Sequence, residues 1–443
     1  MNEITVVFHR AAPWAVLLLA IVALVLFLLA VSRWRWRLMY SRNQATMQVT
    51  FGLQNDDTPL KSEQLFDILH GTRIPWYQRV FKGQPHVTFY FLNDGNKKVL
   101  YVTVPRFYDL PYTVFTAVLG KFTDSGIDKD IDATNIVFPP VIGRRKYGAI
   151  RQKFHSVSGI RTVAGYENDD PTEHLWNSLD MTATDGFSAV IVMLKPCGNH
   201  WTKRGQSIKE NIRSTDDPDA RRSITNTSIW GSFRNEASGL LSSFSSGSGS
   251  PQGTYPRRDK RNELSEWSKD ITKTMDAKLA SKACYRCVIL IIVDYDKATK
   301  YDVERIACSF KQYDKDQVLR CKHIFWPVTR VLGLLVSMNL WPLLGSRDIY
   351  SAQELAAIIH SPARNTTISK LLFNLSRKSP PSHELTMPRD DSIKLGYNDF
   401  RCRVETVSIP FDDFKLHAAI IGVTGSGKST LIKSIVRQWV HDE

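Results

Sequence analysis

The stretch from Leu416 to Val440 constrains the fold more than any other, because it combines an apolar run, a glycine loop and the spacing of an amphipathic helix. The phosphate-loop pattern G-x-x-x-x-G-K-[ST] is complete here, at Gly422, Gly427, Lys428 and Ser429. Glycines let backbone N–H groups turn inward around a phosphate, and the following helix points its positive N-terminal end at the same anion. The pattern therefore predicts a strand from Ala418 to Ile421, a nucleotide-binding loop, and a helix after it.

Two side chains of this loop carry specific chemistry. The Lys428 ammonium is expected to reach the β- and γ-phosphates of ATP, and the Ser429 hydroxyl to coordinate Mg²⁺. A working ATPase of this class also needs a strand ending in an acidic residue, and that strand ordinarily follows the loop. Because the sequence stops at Glu443, we expect either the front part of a longer motor or a nucleotide binder that does not hydrolyse, and we favour the longer motor.

Composition limits the class of protein. A chain of 443 residues is long enough for two or three domains with their own cores. Its formal net charge of +14 favours anionic partners such as DNA or a phospholipid surface. Among the six cysteines, Cys284 and Cys287 have the C-x-x-C spacing of a redox pair or of half a zinc site. No second metal-binding pair accompanies them, so we expect two reduced structural cysteines.

The apolar run from Ala11 to Val31 carries no charge and is long enough to cross a bilayer as a helix. Its C-terminal flank is rich in arginine and tryptophan, at Arg33, Trp34, Arg35, Trp36, Arg37 and Arg42. Such a flank is typical of the cytoplasmic side of a membrane. The run therefore predicts a single transmembrane helix in the inner or plasma membrane, with a cytoplasmic body. A cleaved signal peptide is the alternative, which the basic C-terminal flank disfavours.

The body reads as a mixed α/β globule. Strands are predicted at Met47–Leu53 (an edge strand), His86–Asn93, Val99–Val104, Gly186–Pro196 and Cys287–Asp296, and helices at Leu110–Phe122, Asp169–Thr182, Asn262–Ala283 and Asp302–Tyr313. Asp294 ends an apolar strand as a magnesium-binding acid would, but it precedes the loop, so we assign that strand to the core of the preceding domain. Ser351 and Glu354 have the spacing of a capping box.

Three further segments have more than one interpretation. The basic patch from Val141 to Arg151 is typical of a solvated loop, with lipid headgroups or DNA as sharper alternatives. The segment from Trp326 to Leu344 is interpreted as buried core, with a second membrane contact as the alternative. Residues 200–262 include the Gly/Ser-rich stretch from Gly239 to Gly253 and predict a disordered insertion.

The predicted fold class is α/β, with one N-terminal transmembrane helix, a mixed α/β N-terminal domain and the start of a RecA-like P-loop ATPase domain. The expected divisions are a membrane anchor at 1–45, the α/β domain at 46–199 and 263–394, the insertion at 200–262, and the ATPase domain from 395 to 443.

Several motifs together resemble one family. The strand-and-loop segment Leu416–Leu431, with TGSGKST at Thr424–Thr430, is similar to the FtsK/HerA superfamily of pumping ATPases. The lead-in Gly396-Tyr397 and Val407–Pro410 is similar too. The segment SAQELAAIIHSP at Ser351–Pro362 resembles an "ELA…HxP" segment of conjugative DNA-transfer ATPases of type IV secretion systems. The resemblance covers about the last hundred residues, judged by motif.

The resemblance implies a membrane-anchored, homo-oligomeric and hexameric motor that uses ATP and Mg²⁺ to move DNA through a secretion channel built with partner proteins. Lys428 takes the catalytic role and Ser429 the metal role, with Thr430 near the α-phosphate. The full set of nucleotide-binding residues is Gly422, Thr424, Gly425, Ser426, Gly427, Lys428, Ser429 and Thr430. Two alternatives stay open at the level of sequence: a secretion motor that moves protein, and a membrane scaffold that senses nucleotide without hydrolysing it.

Overall fold

The chain divides into two compact units, Met1–Phe373 and Asn374–Glu443. The structure is a computed structural model that describes residues 2–52, 59–107, 109–122, 126–129, 145–166, 170–180, 186–216, 265–295, 298–324, 339, 341, 348–363, 368–374, 381–387, 391–400, 403–415, 418–423 and 425–441. The second unit begins at Asn374, before the predicted residue 395. It includes the helix His383–Thr386 and a strand that begins at Ser392.

The helices and strands are numbered here in chain order. The α-helices are α1 (Asn2–Arg42), α2 (Pro59–His70), α3 (Trp76–Lys82), α4 (Leu110–Lys121), α5 (Pro171–Ser178), α6 (Thr202–Thr215), α7 (Glu266–Ala280), α8 (Lys300–Cys308), α9 (Ala352–Ile358), α10 (His383–Thr386) and α11 (Lys428–His441). The strands are β1 (Gln44–Gly52), β2 (Val87–Asn93), β3 (Lys98–Pro105), β4 (Gly126–Lys129), β5 (Lys146–Gln152), β6 (Phe187–Pro196), β7 (Cys284–Asp294), β8 (Leu319–His323), β9 (Ile349–Ser351), β10 (Phe373–Asn374), β11 (Ser392–Phe400) and β12 (Arg403–Pro410).

Helix α1 contains the apolar run that predicts a transmembrane helix, and that prediction is wrong. Within the described residues, no helix is both long enough and apolar enough to cross a membrane. The helix continues without a break through Arg33, Arg35 and Arg37, and charged side chains are costly in hydrocarbon. Its C-terminal turns pack on protein instead: Arg33 Nε donates to the Val80 carbonyl at 2.8 Å, and Tyr40 is buried.

One large sheet forms the core of the first unit. Its main order is β10-β1-β3-β2-β6-β7-β5-β8, with β4 beside β1 and β9 beside β7. The neighbouring pairs from β1 to β8 are antiparallel. The predicted hairpin of β2 and β3 is confirmed, with Asp94 Oδ1 accepting from the Asn96 and Lys97 amides and Gly95 at φ +88° in the turn. The sheet therefore combines a hairpin of strands that are neighbours in the chain, β2 and β3, with strands such as β6 that are distant in the chain.

Strand β1 differs from its prediction as an edge strand. It pairs with β3 on one side and with β4 on the other. The polar residues that produced an edge-like alternation have partners across the sheet: Thr46 Oγ1 lies 3.0 Å from Thr103 Oγ1, and the Tyr101 hydroxyl donates to Gln48 Oε1 at 3.5 Å. Polar side chains with cross-strand partners are compatible with a central strand.

The central strands are buried on both faces. On one face, residues such as Val190 and Ile291 pack in a core with helices α2, α4, α5, α8 and α9. On the other face, Ile191 and Leu290 belong to a second buried cluster, whose described cover includes Trp341. Of the segment interpreted as core, Asn339 and Trp341 are described, and the rest lies outside the described residues. Continuous apolar strands such as β6 and β7 are expected where a sheet is covered on both sides.

The predicted insertion begins later than residue 200. Residues 202–215 form helix α6, which packs against α7 through Ile208 and Ile212, both buried with Met275. The sequence prediction was wrong for these residues because most of α6 is polar, and its apolar face consists of only a few residues. Asp216 Oδ1 accepts from Ser265 Oγ at 2.8 Å, so the end of α6 lies beside the start of α7. The Gly/Ser-rich stretch lies outside the described residues.

The second unit contains α10, the antiparallel hairpin β11–β12, and helix α11. The hairpin pairs residues Ser392 to Phe400 with residues Arg403 to Pro410. The predicted strand from Ala418 to Ile421 is wrong, because residues 418–423 form no strand, and the side chains of Ile421 and Val423 are 94% and 79% exposed. The described strands of this unit pair with each other, so this run has no neighbouring strand with which to form a ladder.

Candidate functional site

Glycines shape the loop between residues 422 and 427. Gly425 and Gly427 have φ angles of +83° and +86°, a left-handed conformation that other residues adopt at a cost of about 1–2 kcal/mol. A Cβ on Gly422 would lie 2.6 Å from Ser426 Oγ, closer than real Cβ atoms approach. The Ser426 amide donates to the Val423 carbonyl at 3.2 Å and closes the turn. The positive φ angles therefore favour glycine at Gly425 and Gly427, whereas a Cβ at Gly422 would require the exposed Ser426 hydroxyl to rotate away.

Lys428 holds the two ends of the loop together. Its Nζ donates to the Gly422 and Val423 carbonyls, both at 2.7 Å. These carbonyls lie at the start of the loop and the lysine follows its last glycine, so the side chain reaches back across the opening. An ammonium in this position lies where an anion in the loop would meet it, and it can exchange carbonyl partners for phosphate oxygens.

Helix α11 begins at Lys428 and directs its N-terminus at the loop. Its first turn is closed by the Leu431 amide, which donates to the Gly427 carbonyl at 3.0 Å. The first amides of a helix have no partner within the helix, so they remain available to an anion. The residues Ser429 and Thr430 lie in this first turn and are exposed.

The hairpin anchors the far end of α11. The Gln438 side chain makes two hydrogen bonds to the backbone of Lys394, accepting from its amide at 2.8 Å and donating to its carbonyl at 2.9 Å. The Lys394 position lies at an irregularity in the β11–β12 register, where the ladder is interrupted. Ile435 is buried on the same helix, and the rings of Phe411 and Trp439 lie 6.1 Å apart in an edge-on arrangement. The helix that follows the loop is therefore held against the β11–β12 hairpin by these contacts.

The sequence-predicted site residues are therefore brought together in one loop and helix turn. Gly422, Gly425, Ser426, Gly427, Lys428, Ser429 and Thr430 are described there, and Thr424 lies outside the described residues. No group of histidine, cysteine, aspartate or glutamate side chains suited to a metal occurs within the described residues. The described residues offer the Ser429 hydroxyl as a metal ligand without a carboxylate cluster beside it.

Asp294 belongs to the core of the first unit, in line with its interpretation there. It ends strand β7, and its Oδ2 accepts from Arg145 Nε at 2.5 Å. Of the predicted basic patch, Arg145 is thus held by this buried carboxylate, and Lys146 begins β5. The salt bridge gives Asp294 a structural role.

The segment that resembles conjugative ATPases forms two buried polar pairs. The capping box is confirmed: the Glu354 amide donates to Ser351 Oγ at 3.3 Å, and the Ser351 amide to Glu354 Oε2 at 2.9 Å. The same carboxylate pairs with Lys278 at 2.7 Å. His360 Nε2 lies 2.9 Å from Asp170 Oδ1. Burial raises the pKa of Asp170, but the hydrogen bond and charge of His360 and the Ala363 amide outweigh it and lower that pKa to about 2.

The C-x-x-C pair is structural. Cys284 and Cys287 lie on strand β7 three residues apart, so their side chains are on opposite faces and belong to different buried clusters. Both thiols are free. Burial raises the pKa of Cys284 to about 11 and that of Cys287 well above its ordinary value. Protonated thiols on opposite faces can neither share a zinc ion nor form a disulfide with each other, which confirms the interpretation as reduced structural cysteines.

Sequence reasoning missed a cluster of cations in the first unit. Arg33 and Arg37, which it assigned to a membrane flank, line a cavity together with Lys195 of β6. The signal in the sequence was their spacing of four, which places both on one face of a helix. The contribution of β6 could not be read from the sequence.

Comparison with known proteins adds no relative. A scan of the chain against protein-family models finds no match, and a search among curated proteins finds no similar sequence. The resemblance to the FtsK/HerA superfamily therefore stays a prediction that rests on the motifs.

Proposed function

We propose that this protein binds ATP in the loop of residues 422–430 and serves as the nucleotide-binding part of an ATP-driven DNA translocase. The observation that carries the proposal is the local geometry: two glycines at positive φ, and Lys428 folded across the opening. The loop excludes side-chain bulk at the positions where a phosphate must approach the backbone.

The residues divide the work in a simple way. The amides of the loop and of the first turn of α11 bind the phosphates, and Lys428 leaves its two carbonyl partners to contact the β- and γ-phosphates. Ser429 would hold Mg²⁺ through its hydroxyl, and the ion would supply positive charge to offset that of the bound phosphates. These residues account for the binding of ATP. Hydrolysis also needs an acidic residue that holds the metal and a residue that positions the attacking water.

DNA is the proposed cargo. The net charge of +14 suits an anionic partner, and the motifs resemble DNA-transfer motors, which act as rings at a secretion channel. If DNA binds through phosphate contacts, its affinity will fall steeply as salt rises. A chain with no affinity for duplex DNA at low salt would favour the protein-secretion alternative.

Nucleotide binding is tested with a fluorescent ATP analogue and the variant Lys428→Ala. Loss of a charge-assisted hydrogen bond costs about 1.5–3 kcal/mol, so the dissociation constant should rise by about 10- to 150-fold. The matched control is Lys433→Ala, which removes an exposed lysine from the same helix without touching the loop.

Affinity in the control should equal that of the unaltered chain. Equal affinity in Lys428→Ala and Lys433→Ala would show that the loop is not the nucleotide site. Absence of any binding to the unaltered chain would refute the proposal directly.

A further inference from the structure

A cavity of about 420 Å³ lies in the first unit, between the C-terminal turns of α1, helix α3 and the end of β6. This volume is within the range of small-ligand sites, about 300–1,000 Å³. All its lining residues belong to the first unit, so the cavity is independent of the phosphate loop. We call it the cationic pocket.

Its lining carries charges of a single sign. Five cationic side chains line it, Arg33, Arg37, Arg79, Lys82 and Lys195, together with His86. No aspartate or glutamate is among the described residues that line it. No described acidic residue forms an ion pair with Arg37, Arg79 or Lys195. A concave wall of one sign concentrates the potential inside it and attracts an ion of the opposite sign.

Neighbouring groups hold these cations in position. Arg33 is fixed by its hydrogen bond to the Val80 carbonyl. Lys82 Nζ lies 4.9 Å from the ring centre of Trp36, and Lys195 Nζ lies 4.4 Å from that of Trp341. Cations held by aromatic faces and backbone acceptors lose little further freedom when a ligand binds.

The charges repel one another in the absence of a counter-ion. Burial, with the nearby charges of Arg37, Arg286 and Arg33, lowers the pKa of Lys195 to about 7. Burial and the adjacent Arg33 also lower the pKa of Arg37. An anion in the pocket would offset both effects, because an opposite charge at close range favours the charged form of each group.

We propose that the cationic pocket binds a phosphate group of headgroup size. Arginine binds phosphate through two parallel N–H donors, and the pocket offers three arginines and two lysines around a small volume. A carboxylate would meet the same charge with two acceptor oxygens, whereas a phosphate group offers three strong acceptors to these donors.

The shape favours a small phosphate over a nucleic acid. The pocket is concave and bounded by Tyr40, Trp76 and Trp341, whereas a duplex needs an extended cationic face. On α1, the turns before Arg33 expose apolar side chains such as Leu26 and Phe27, which are 61% and 64% exposed. An anionic phospholipid and a soluble metabolite both carry such a phosphate, and the two sources share the same recognition chemistry.

The test measures binding to the full chain by titration calorimetry with inorganic phosphate and glycerol phosphate, and by co-sedimentation with phosphatidylglycerol vesicles. The variants are Arg37→Gln and Lys195→Gln, each expected to weaken phosphate binding at least tenfold, about the effect of one charged hydrogen bond. The matched control is Arg320→Gln, which removes an exposed arginine from β8 outside the pocket.

Each outcome decides a point. Vesicle binding that both variants weaken identifies a lipid headgroup, and binding of soluble phosphates alone identifies a metabolite. Both results support the pocket. Lys195→Gln also removes a charge that repels its neighbours, so the midpoint of unfolding of this variant should not fall. If the variant is folded and does not bind phosphate, the loss of binding is a direct effect of the substitution. Absence of binding to both the soluble phosphates and the vesicles, or binding that Arg320→Gln weakens equally, overturns the proposal. Displacement of bound phosphate by a short DNA duplex would reassign the pocket to nucleic acid.

Discussion

The buried pair of Lys278 and Glu354 gives the sharpest test of the first unit. The lysine Nζ lies 2.7 Å from Glu354 Oε2 and 2.9 Å from Oε1, and the two side chains are 3% and 2% exposed. Lys278→Met keeps most of the aliphatic volume and deletes the charge. It leaves a buried carboxylate that retains two backbone donors, the amides of Ile160 and Ser351, each at 2.9 Å.

The expected cost follows from these contacts. Removing one partner of a buried ion pair destabilises a protein by about 3–5 kcal/mol, and the two remaining donors place this site near the lower end. We therefore expect a loss of about 3 kcal/mol in the free energy of unfolding, measured by urea denaturation followed by circular dichroism.

A double variant separates the two causes of destabilisation, the loss of lysine packing and the buried charge left without a partner. Lys278→Met combined with Glu354→Gln removes the buried charge. The glutamine oxygen can still accept the Ser351 amide of the capping box, but its NH2 group cannot accept the Ile160 amide, so part of the gain is lost. The double variant should therefore be more stable than Lys278→Met alone by at most about 1 kcal/mol. The exposed pair of Lys209 and Asp276 is the control, and Lys209→Met should cost less than about 1 kcal/mol. If the double variant is the less stable one, the reasoning about an uncompensated charge is refuted.

Two further predictions concern the loop and the pH response. Gly425→Ala should weaken ATP binding about tenfold, because a φ of +83° costs an alanine about 1–2 kcal/mol. The control is Gly120→Ala on α4, where a Cβ meets no atom, and it should leave ATP binding unchanged. An equal loss of affinity in both variants would contradict the argument. His155 Nδ1 accepts the Val157 amide at 3.2 Å, so the ring is neutral, and burial with Arg204 and Lys278 lowers its pKa to about 4. The unfolded chain then binds more protons between about pH 6.5 and 4, and stability should fall by roughly 2–3 kcal/mol as the pH drops through that range. His155→Gln should reduce this fall in urea denaturation and the exposed His174→Gln should not; an unchanged pH profile in His155→Gln would count against it.

Much of the first unit was predictable because its strands are strongly patterned. The β2–β3 hairpin, β6 and β7 follow from long apolar runs and from a turn that requires Gly95. The apolar run in α1 was misread as a membrane span, because hydropathy does not show that a helix continues through arginines and packs on α3. Helix α6 was missed because its apolar face is narrow, and its partner α7 lies some fifty residues further along the chain.

The sequence by itself determined the local shape of the glycine loop at residues 422–427, because the conformation at Gly425 and Gly427 is a local property of residues without a Cβ. Only the tertiary structure decided which polar residues are structural. Glu354 and His360 lie in a motif that resembles a motor segment, yet their partners Lys278 and Asp170 are distant in sequence. The same holds for the cationic pocket, since charges on α1, α3 and β6 meet only when the sheet and helices pack. Backbone preferences act between neighbours in the chain, whereas burial and charge act between neighbours in space.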